Sequence, residues 1–299
     1  MTNSYISIDI GGTNLKFAEM NNAGEIVRQD TVPTPQNKQD FLKKIKEIVK
    51  QYDRPNVKGV AICSPGKIQD NTVYYGGALT FLDGVNFPSV LKEFNHRVEV
   101  INDGKASVLA ENWLGNLKDI PNCAAITLGT GVGGGIIVNG KLVQGKDAQA
   151  GELSAMQIAN ADGKNSLAAE SCSAVKLVSQ VNKLVGTNDL KNDKKAFNEI
   201  KKQNSPANEL FKKYCYQVAK VIFNIQTVLD LQAVAIGGGI SAQPIVVKEI
   251  NNAYNRLLKS HILLAQFRKP KIVTAKFHNN ANLYGALYNL LLRLNNESI

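Results

Sequence analysis

The chain has 299 residues, of which 44% are hydrophobic and 20% charged, values typical of a soluble globular protein with about two domains. No apolar run approaches the roughly 20 residues of a membrane span, and Asp9 with its glycines interrupts any signal-peptide core, so we expect a cytoplasmic protein without membrane contact. The formal net charge of +10 lies largely in mixed polar segments without a basic aromatic stripe, so nucleic acid is not an expected partner, whereas an anionic nucleotide would be attracted.

The first predicted elements are two apolar strands joined by a glycine turn, over residues 7–20. Glycines in a tight turn let backbone N–H groups approach an anion closely, and Asp9 stands where a metal ion or water would be held beside that anion. A Gly-Gly hairpin by itself is more often only a turn, so its interpretation as a phosphate-binding loop depends on further signals. Its candidate ligands are Asp9, Gly11, Gly12, Thr13, Asn14 and Lys16.

A helix is predicted over residues 37–52, strands over 57–63 and 98–101, and a helix over 106–114. Asp103 directly follows the second of these strands, where side chains stand at the open end of a sheet. Such an aspartate often only caps the next helix. Beside a phosphate-binding loop, however, Asp103 becomes the candidate carboxylate that accepts a hydroxyl proton in phosphoryl transfer. Asn102 would bind a sugar hydroxyl.

The first pattern recurs over residues 124–143, where an apolar strand, a Gly/Thr turn at 129–135, a second strand and the turn at 139–140 follow each other. The repetition predicts two related half-domains that face each other across a cleft, so that two glycine loops hold one polyphosphate. The candidate ligands in this copy are Thr130, Gly131 and Gly133. Glu152 follows a stretch of mostly small residues and is a candidate acceptor for sugar hydroxyls, with a surface glutamate as the alternative.

The second half of the chain is predicted to be helical over about 172–230, broken by a polar stretch at 186–208 that would form loops and a solvated helix. Strands follow at 234–236 and 272–275, and a largely apolar helix at 283–294. Gly238 and Gly239 follow a buried strand and would let a flat ring such as adenine lie against the backbone. Strands that alternate with helices indicate an α/β fold with a mixed sheet in each half.

Seven motifs taken together resemble the ROK family of bacterial sugar kinases. In chain order they are Asp9-Ile-Gly-Gly-Thr-Asn, Ser64-Pro-Gly, Asn102-Asp103, Leu128-Gly-Thr-Gly-Val-Gly-Gly-Gly, Gly151-Glu152-Leu153, Ile236-Gly-Gly-Gly-Ile-Ser and Asn282-Leu-Tyr-Gly-Ala. The resemblance implies an actin-like, ribonuclease-H-like ATPase fold with two domains, one formed by residues 1–116 and 282–299 and the other by 117–281. It also implies a homodimer, the commonest oligomer of soluble proteins.

The resemblance further implies the activity: transfer of the γ-phosphate from magnesium ATP to a sugar hydroxyl, usually the one on carbon 6. Asp103 would be the general base, and Asn102 and Glu152 would bind the sugar. Gly12, Thr13, Thr130 and Gly131 would contact phosphate, Gly238 and Gly239 would lie against adenosine, and the magnesium ion would lie near Asp9.

The chain departs from the family pattern at the expected sugar site. Ala155 stands where many members have a histidine, and no cysteine cluster follows, so no structural zinc is expected. Gly77 and Ala78 begin the segment that replaces a Pro-Asn-Leu sugar turn. A second family glutamate falls near Glu170, although the flanking register aligns it with Ala169 unless one residue is inserted.

Fewer polar groups in the pocket favour a substituted sugar, because rejection of a substituent depends on paired polar groups. The first hypothesis is therefore a sugar 6-kinase that acts on a β-glucoside, and an N-acylmannosamine kinase or another hexose kinase is the alternative. A sugar-sensing transcriptional regulator and a non-catalytic sugar-binding protein are hypotheses of other classes. The regulator is disfavoured because the first loop begins at Asp9, which leaves no room upstream for a DNA-reading domain.

Overall fold

The structure is a computed structural model that describes residues 3–159 and 163–297. The described residues divide into two compact units, one from Met1–Lys118, Lys141–Gly151 and Asn279–Ile299, the other from Asp119–Gly140 and Glu152–His278. The boundaries expected from the sequence differ from this division mainly at residues 141–151, which lie with the first unit. One reason is that the buried amine of Lys105 donates a hydrogen bond to the carbonyl of Ala148, at 2.7 Å, and so holds this segment.

The first unit is built on a five-stranded mixed sheet with the strand order β3-β2-β1-β4-β7. The strands of this unit, numbered along the whole chain, are β1 (Ser4–Ile10), β2 (Asn14–Asn21), β3 (Ile26–Pro33), β4 (Val57–Ser64), β5 (Lys67–Gln69), β6 (Thr72–Tyr74) and β7 (Arg97–Asn102). The short strand β10 (Lys141–Leu142) is the edge strand of the other five-stranded sheet. β2 is antiparallel to β1 and β3, whereas β4 is parallel to β1 and β7, and β5 and β6 form a separate hairpin.

The helices of the first unit are α1 (Lys38–Tyr52), α2 (Phe87–Val90), α3 (Asp103–Leu114) and α9 (Ala281–Leu294). α1 follows the predicted apolar spacing, with Phe41, Ile45 and Val49 fully buried, and Asn37 caps its first turn. α3 begins three residues before the predicted start. The reason is that the side chain of Asn102 accepts the N–H groups of Gly104 and Lys105, which nucleates the first turn.

α3 and α9 cross with their backbones in direct approach. A Cβ atom at Gly285 would lie 1.8 Å from the carbonyl oxygen of Ala106, so only glycine fits at this crossing. Leu283, Leu287 and Leu290 on α9 are completely buried, so the apolar last helix completes the core of the first unit.

The second unit repeats this sheet topology. Its strands are β8 (Cys123–Leu128), β9 (Val132–Val138), β11 (Gln157–Ala159), β12 (Asn165–Leu167), β13 (Ala233–Gly237) and β14 (Lys271–Thr274). β8 is antiparallel to β9 and parallel to β13, which is parallel to β14. The run β9-β8-β13-β14 therefore has the order and directions of β2-β1-β4-β7, so the α/β fold with two mixed sheets is confirmed.

The helices of the second unit are α4 (Ala168–Ser171), α5 (Ala174–Leu184), α6 (Asp193–Ile200), α7 (Pro206–Leu229) and α8 (Pro244–Lys259). Short 3₁₀ turns in the chain are Thr80–Leu82, Lys92–Phe94, Leu153–Ala155, Gly239–Ala242, Leu264–Gln266 and His278–Asn280.

The polar stretch at 186–208 differs from its prediction as a solvated helix with loops. α6 lies within it and buries Ala196, Phe197 and Ile200, and the ring of Phe197 meets Phe211 edge-on at 6.2 Å between centroids. Three apolar residues on one face are enough to bury a short helix, even where the surrounding composition is polar. Within residues 3–159 and 163–297, no helix combines the length and apolar character needed to cross a bilayer.

Candidate active site

The parallel strands of the first unit bring three predicted site residues to one edge of the sheet. In the register of β1, β4 and β7, Asp9 pairs with Cys63, and the next residue, Ser64, pairs with Asn102. Asp103 follows Asn102 directly, so both carboxylates lie at the carboxyl ends of the strands. In α/β sheets this edge is where ligands bind.

The glycine turn after β1 is tight and leaves its tip exposed. The N–H of Gly11 donates to the carbonyl of Asn14 at 3.0 Å, and a Cβ atom at Gly11 would lie 2.8 Å from that oxygen. The hydroxyl of Thr34 donates to the Gly11 carbonyl at 2.7 Å. Gly12 and Thr13 are exposed at the tip. The turn is thus held from one side while its tip remains accessible to an anion.

Asp9 is partly buried, and the pKa of its carboxylate is raised. Burial raises its pKa to about 6, against the lowering effects of a hydrogen bond from Asn282 and of the charge on Lys16, and the negative charge of Asp103 raises it further. The amide of Asn282 donates to Oδ1 of Asp9 at 3.0 Å. Lys16, the partner of Asp9 on β2, also donates its amine to the carbonyl of Asn279. The register of β1, β4 and β7 places both carboxylates at the same sheet edge, and the charge of Asp103 also acts on the pKa of Asp9.

Asp103 is exposed at the first residue of α3, and its Oδ1 accepts the N–H of Gly104 at 2.8 Å. The cap of this helix is Asn102, whose Oδ1 accepts from Gly104 and Lys105 and whose amide donates to the carbonyl of Gly66 at 2.9 Å. Asn102 therefore ties the Ser64-Pro65-Gly66 turn to the start of α3. Its second amide N–H makes no hydrogen bond within the described part of the chain.

The segment that begins with Gly77 and Ala78 lies against the glycine turn. A Cβ atom at Gly12 would lie 3.7 Å from the Cβ of Ala78, and one at Gly77 would lie 3.8 Å from the Cβ of Pro65. Gly77 has a φ of +63°, which favours glycine. Both residues are exposed, so this predicted sugar-contacting segment adjoins the predicted phosphate turn.

Two glycine clusters meet at the carboxyl edge of the second sheet. Gly237 pairs with Thr127 in the register of β13 and β8. Gly238 has a φ of +91°, and a Cβ atom there would lie 2.1 Å from the carbonyl oxygen of Leu128. The turn that contains Thr130 and Gly131 is closed by a hydrogen bond from the N–H of Gly129 to the carbonyl of Gly131, at 3.0 Å.

Two other predicted residues of these clusters, Gly239 and Gly133, are not part of these tight turns. Gly239 has nothing within 4 Å of a Cβ position, so its surroundings are open. Gly133 lies within β9, where it pairs with Thr127, rather than in the turn itself.

The two predicted sugar-binding glutamates of the second unit differ in position. Glu152 is exposed, and its Oε1 accepts the hydroxyl of Ser154 at 2.6 Å. Ala169 contacts the phosphate turn, with its Cβ 3.7 Å from a Cβ position at Gly131. Glu170 instead lines a cavity of about 320 Å³ together with Lys176 and Lys213. The structure thus places Ala169, and not Glu170, beside the turn.

Sequence reasoning missed the role of Asn282, although it lies in one of the recognised motifs. Its bond to Asp9 joins residues 273 positions apart, and no local pattern indicates such a contact. In residues 3–159 and 163–297, no group of three or more His, Cys, Asp or Glu side chains is arranged to hold a metal ion.

One family model matches most of the chain. The ROK family model covers residues 5–292. The chain belongs to the ROK family. This ROK protein is 30% identical to a beta-glucoside kinase of Listeria monocytogenes, over 95% of this chain and 96% of that relative.

Two solved structures share the fold of this ROK protein. One is a ROK family protein from Streptococcus pneumoniae in complex with sucrose, with a TM-score of 0.86 and 26% identity over 98% of this chain and 99% of that one. The other is a putative N-acetylmannosamine kinase from Listeria monocytogenes, with a TM-score of 0.83 and 28% identity over 97% of this chain and 99% of that one. The fold is therefore the actin-like ATPase fold of ROK kinases.

Proposed function

We propose that the chain is an ATP-dependent sugar kinase that transfers the γ-phosphate of ATP to the 6-hydroxyl of a hexose or hexosyl unit. The observation that carries the proposal is the shared carboxyl edge of β1, β4 and β7, which holds Asp9, Asn102 and Asp103 beside the exposed glycine turn. Phosphoryl transfer to an alcohol requires a carboxylate for the hydroxyl proton beside groups that position phosphate. The relatives that are named as sugar kinases support the same reaction class.

Asp103 is the proposed general base. Its exposed carboxylate would accept the proton of the attacking hydroxyl, while Asn102, which is fixed by its own hydrogen bonds, would direct its second amide N–H to a neighbouring sugar hydroxyl. Glu152 would accept hydrogen bonds from the sugar, and Gly77 and Ala78 would adjoin it. Glu170 stays a weaker candidate, because it lines a different cavity from the phosphate turn.

The glycine clusters are the proposed nucleotide ligands. Backbone N–H groups and hydroxyls would bind the phosphates, and the glycines after β13 would lie against adenosine. The proposed ligands are Gly11, Gly12, Thr13, Asn14, Lys16, Thr130, Gly131, Gly133, Gly238 and Gly239.

Asp9 fits the magnesium ion that accompanies ATP. Burial disfavours its charged form, only Oδ1 is hydrogen-bonded to a described residue, and an adjacent cation would stabilise the ionised form. Magnesium commonly takes one or two carboxylates together with substrate phosphates. When bound, the ion would neutralise phosphate charge, and Asp9, oriented by Asn282, would hold it. A homodimer, a cytoplasmic location and the absence of structural zinc also stay predictions.

A β-glucoside is the first candidate acceptor. Ala78 and Ala155 offer no polar side chain to reject a substituent, and the beta-glucoside kinase relative spans nearly the whole chain. An N-acylated mannosamine is the second candidate, because a solved structure similar over 97% of the chain is described as a putative N-acetylmannosamine kinase. Both would use the same base and the same nucleotide ligands.

The test is ADP release by the full chain with magnesium ATP and glucose, mannose, N-acetylmannosamine, fructose, cellobiose or gentiobiose, followed by NMR assignment of the phosphorylated carbon. Asp103→Asn should lower kcat by about 10²–10⁴ and leave nucleotide binding nearly unchanged. Asp147→Asn, an exposed aspartate in the segment 141–151, is the matched control.

Three results would contradict the proposal: no sugar-dependent ADP release, full turnover in Asp103→Asn, or phosphate on a carbon other than 6. A gel-shift experiment with the full chain separates a DNA-binding regulator from an enzyme. Sugar binding without any ADP release would instead support a non-catalytic sugar-binding protein.

A further inference from the structure

The first unit contains a polar cavity of about 260 Å³, whose lining does not include the glycine turn at 11–14. Its walls come from β7, the turn between β5 and β6, α9 and the segment 141–151. All its lining residues belong to the first unit. Among the polar lining residues are Asp70, Glu99, Lys105, Gln144, Asn289 and Arg293.

Asn289 is the most informative of these side chains. It lies on α9, is only 4% exposed, and lines the cavity, yet its amide makes no hydrogen bond to any residue among 3–159 and 163–297. Its polar atoms face the cavity rather than another side chain, so they are available to hydrogen-bond an occupant.

The charges around the cavity leave a positive excess. Glu99 is buried but is neutralised by Arg97, whose guanidinium contacts its Oε1 at 2.5 and 2.6 Å. The lining thus carries three cationic side chains, Arg97, Lys105 and Arg293, against the two acids Asp70 and Glu99. Arg293 lies four residues after Asn289 on α9 and makes no ion pair within the described ranges. A guanidinium in this position suits an oxyanion, which it can bind with two parallel hydrogen bonds.

The other walls suit hydroxyl groups. The carboxylate of Asp70 accepts hydrogen bonds, and the amides of Gln144 and Asn289 both donate and accept them, as hydroxyls do. The cavity is also preformed, because Oδ1 of Asn71 accepts the N–H of Val100 at 2.7 Å and so fixes the turn between β5 and β6 to the edge strand β7. Its volume of about 260 Å³ lies just below the usual range for ligand pockets, about 300–1,000 Å³, so it suits a small ligand.

We propose that this cavity binds a phosphorylated sugar, with the phosphate on Arg293 and the hydroxyls on Asn289, Gln144 and Asp70. The cavity is also lined by Asn102 and Lys105, which flank Asp103 in the sequence, so an occupant would contact the start of α3. One consequence rests on the proposed kinase function. The product of that reaction is a phosphorylated sugar, so the product would bind in this cavity as well as at the catalytic residue.

The test is calorimetric titration of the full chain with glucose 6-phosphate, glucose 1-phosphate and fructose 6-phosphate. The Kd of the tightest ligand should rise about tenfold in Arg293→Gln, which loses a charge-assisted bond, and by a similar factor in Asn289→Leu. Lys259→Gln removes an equal charge from the last turn of α8 and should leave this Kd unchanged. Asp103→Asn should also leave it unchanged, because the proposed catalytic residue does not line the cavity.

The proposal is overturned if no sugar phosphate binds, if both cavity variants bind like the parent chain, or if Asp103→Asn alone removes binding. Arg293 is exposed, so its variant remains informative even if Asn289→Leu does not fold. Cavity-dependent binding without sugar-dependent ADP release would support the site and contradict the kinase. ADP release without cavity-dependent binding would support the kinase and contradict the cavity site.

Discussion

At the residue scale, Asp9 shows how a proposed ligand position can oppose stability. Its carboxylate is partly buried at the same sheet edge as a second carboxylate, and burial raises its pKa to about 6 from the ordinary value of 3.8. The unfolded chain therefore releases this proton at a lower pH than the folded chain does. The contribution of Asp9 to stability is full below about pH 4 and is lost as the pH rises through about 6.

Asp9→Asn should therefore stabilise the metal-free protein at pH 7, by up to about 3 kcal/mol, since two pKa units correspond to about that energy. The gain should disappear near pH 4, where Asp9 is protonated in both states. Urea denaturation at both pH values measures this difference. Asp147→Asn, which is exposed, serves as the control, and a loss of stability in Asp9→Asn at pH 7 would contradict the assignment.

At the element scale, the crossing of α3 and α9 positions much of the candidate site. α3 begins at the proposed base, and α9 carries Asn282, which holds Asp9. The two helices approach at Gly285, where no side chain fits. Because the obstruction is the carbonyl oxygen of Ala106, which belongs to the backbone of α3, a change of rotamer provides no relief.

Gly285→Ala should therefore destabilise the protein by about 1–3 kcal/mol or more, although alanine is the better helix former by about 1 kcal/mol. Its urea midpoint should fall relative to the parent chain. Gly239→Ala is a matched control, because nothing lies within 4 Å of a Cβ atom at that position. Equal or greater stability in Gly285→Ala would mean that the helices do not meet this closely.

At the scale of the whole molecule, the net charge of +10 has a kinetic consequence if the substrate is a nucleotide. The chain has 35 Lys and Arg residues against 25 Asp and Glu residues, so it attracts anions over distances that salt shortens. The Debye length falls from about 30 Å at 0.01 M salt to about 10 Å at 0.1 M.

Over this range of salt, kcat/KM for ATP should fall several-fold, because the long-range attraction is screened. The value for a neutral sugar, measured at saturating ATP, should change little. Steady-state kinetics at constant magnesium concentration compares the two. An equal effect on both substrates would indicate that salt acts on the protein itself rather than on encounter.

The sequence by itself determined most of the secondary structure and the order of the candidate ligands. Glycine turns, apolar strands and helical spacing act over a few residues, so the sheet edges after β1, β7 and β8 were predictable, and so was Asp103 at one of them. The repeated strand pattern likewise predicted two sheets of similar topology, and the ROK motifs predicted the family.

Only the tertiary structure decided which distant groups meet. The bond between Asn282 and Asp9, the position of Ala169 beside Gly131 and the attachment of residues 141–151 to the first unit follow from packing between segments far apart in the chain. The burial of α6 depends in the same way on the face that it presents to α7. Local patterns fix backbone conformation, whereas such contacts arise from the free energy of the whole core, which no short stretch of sequence contains.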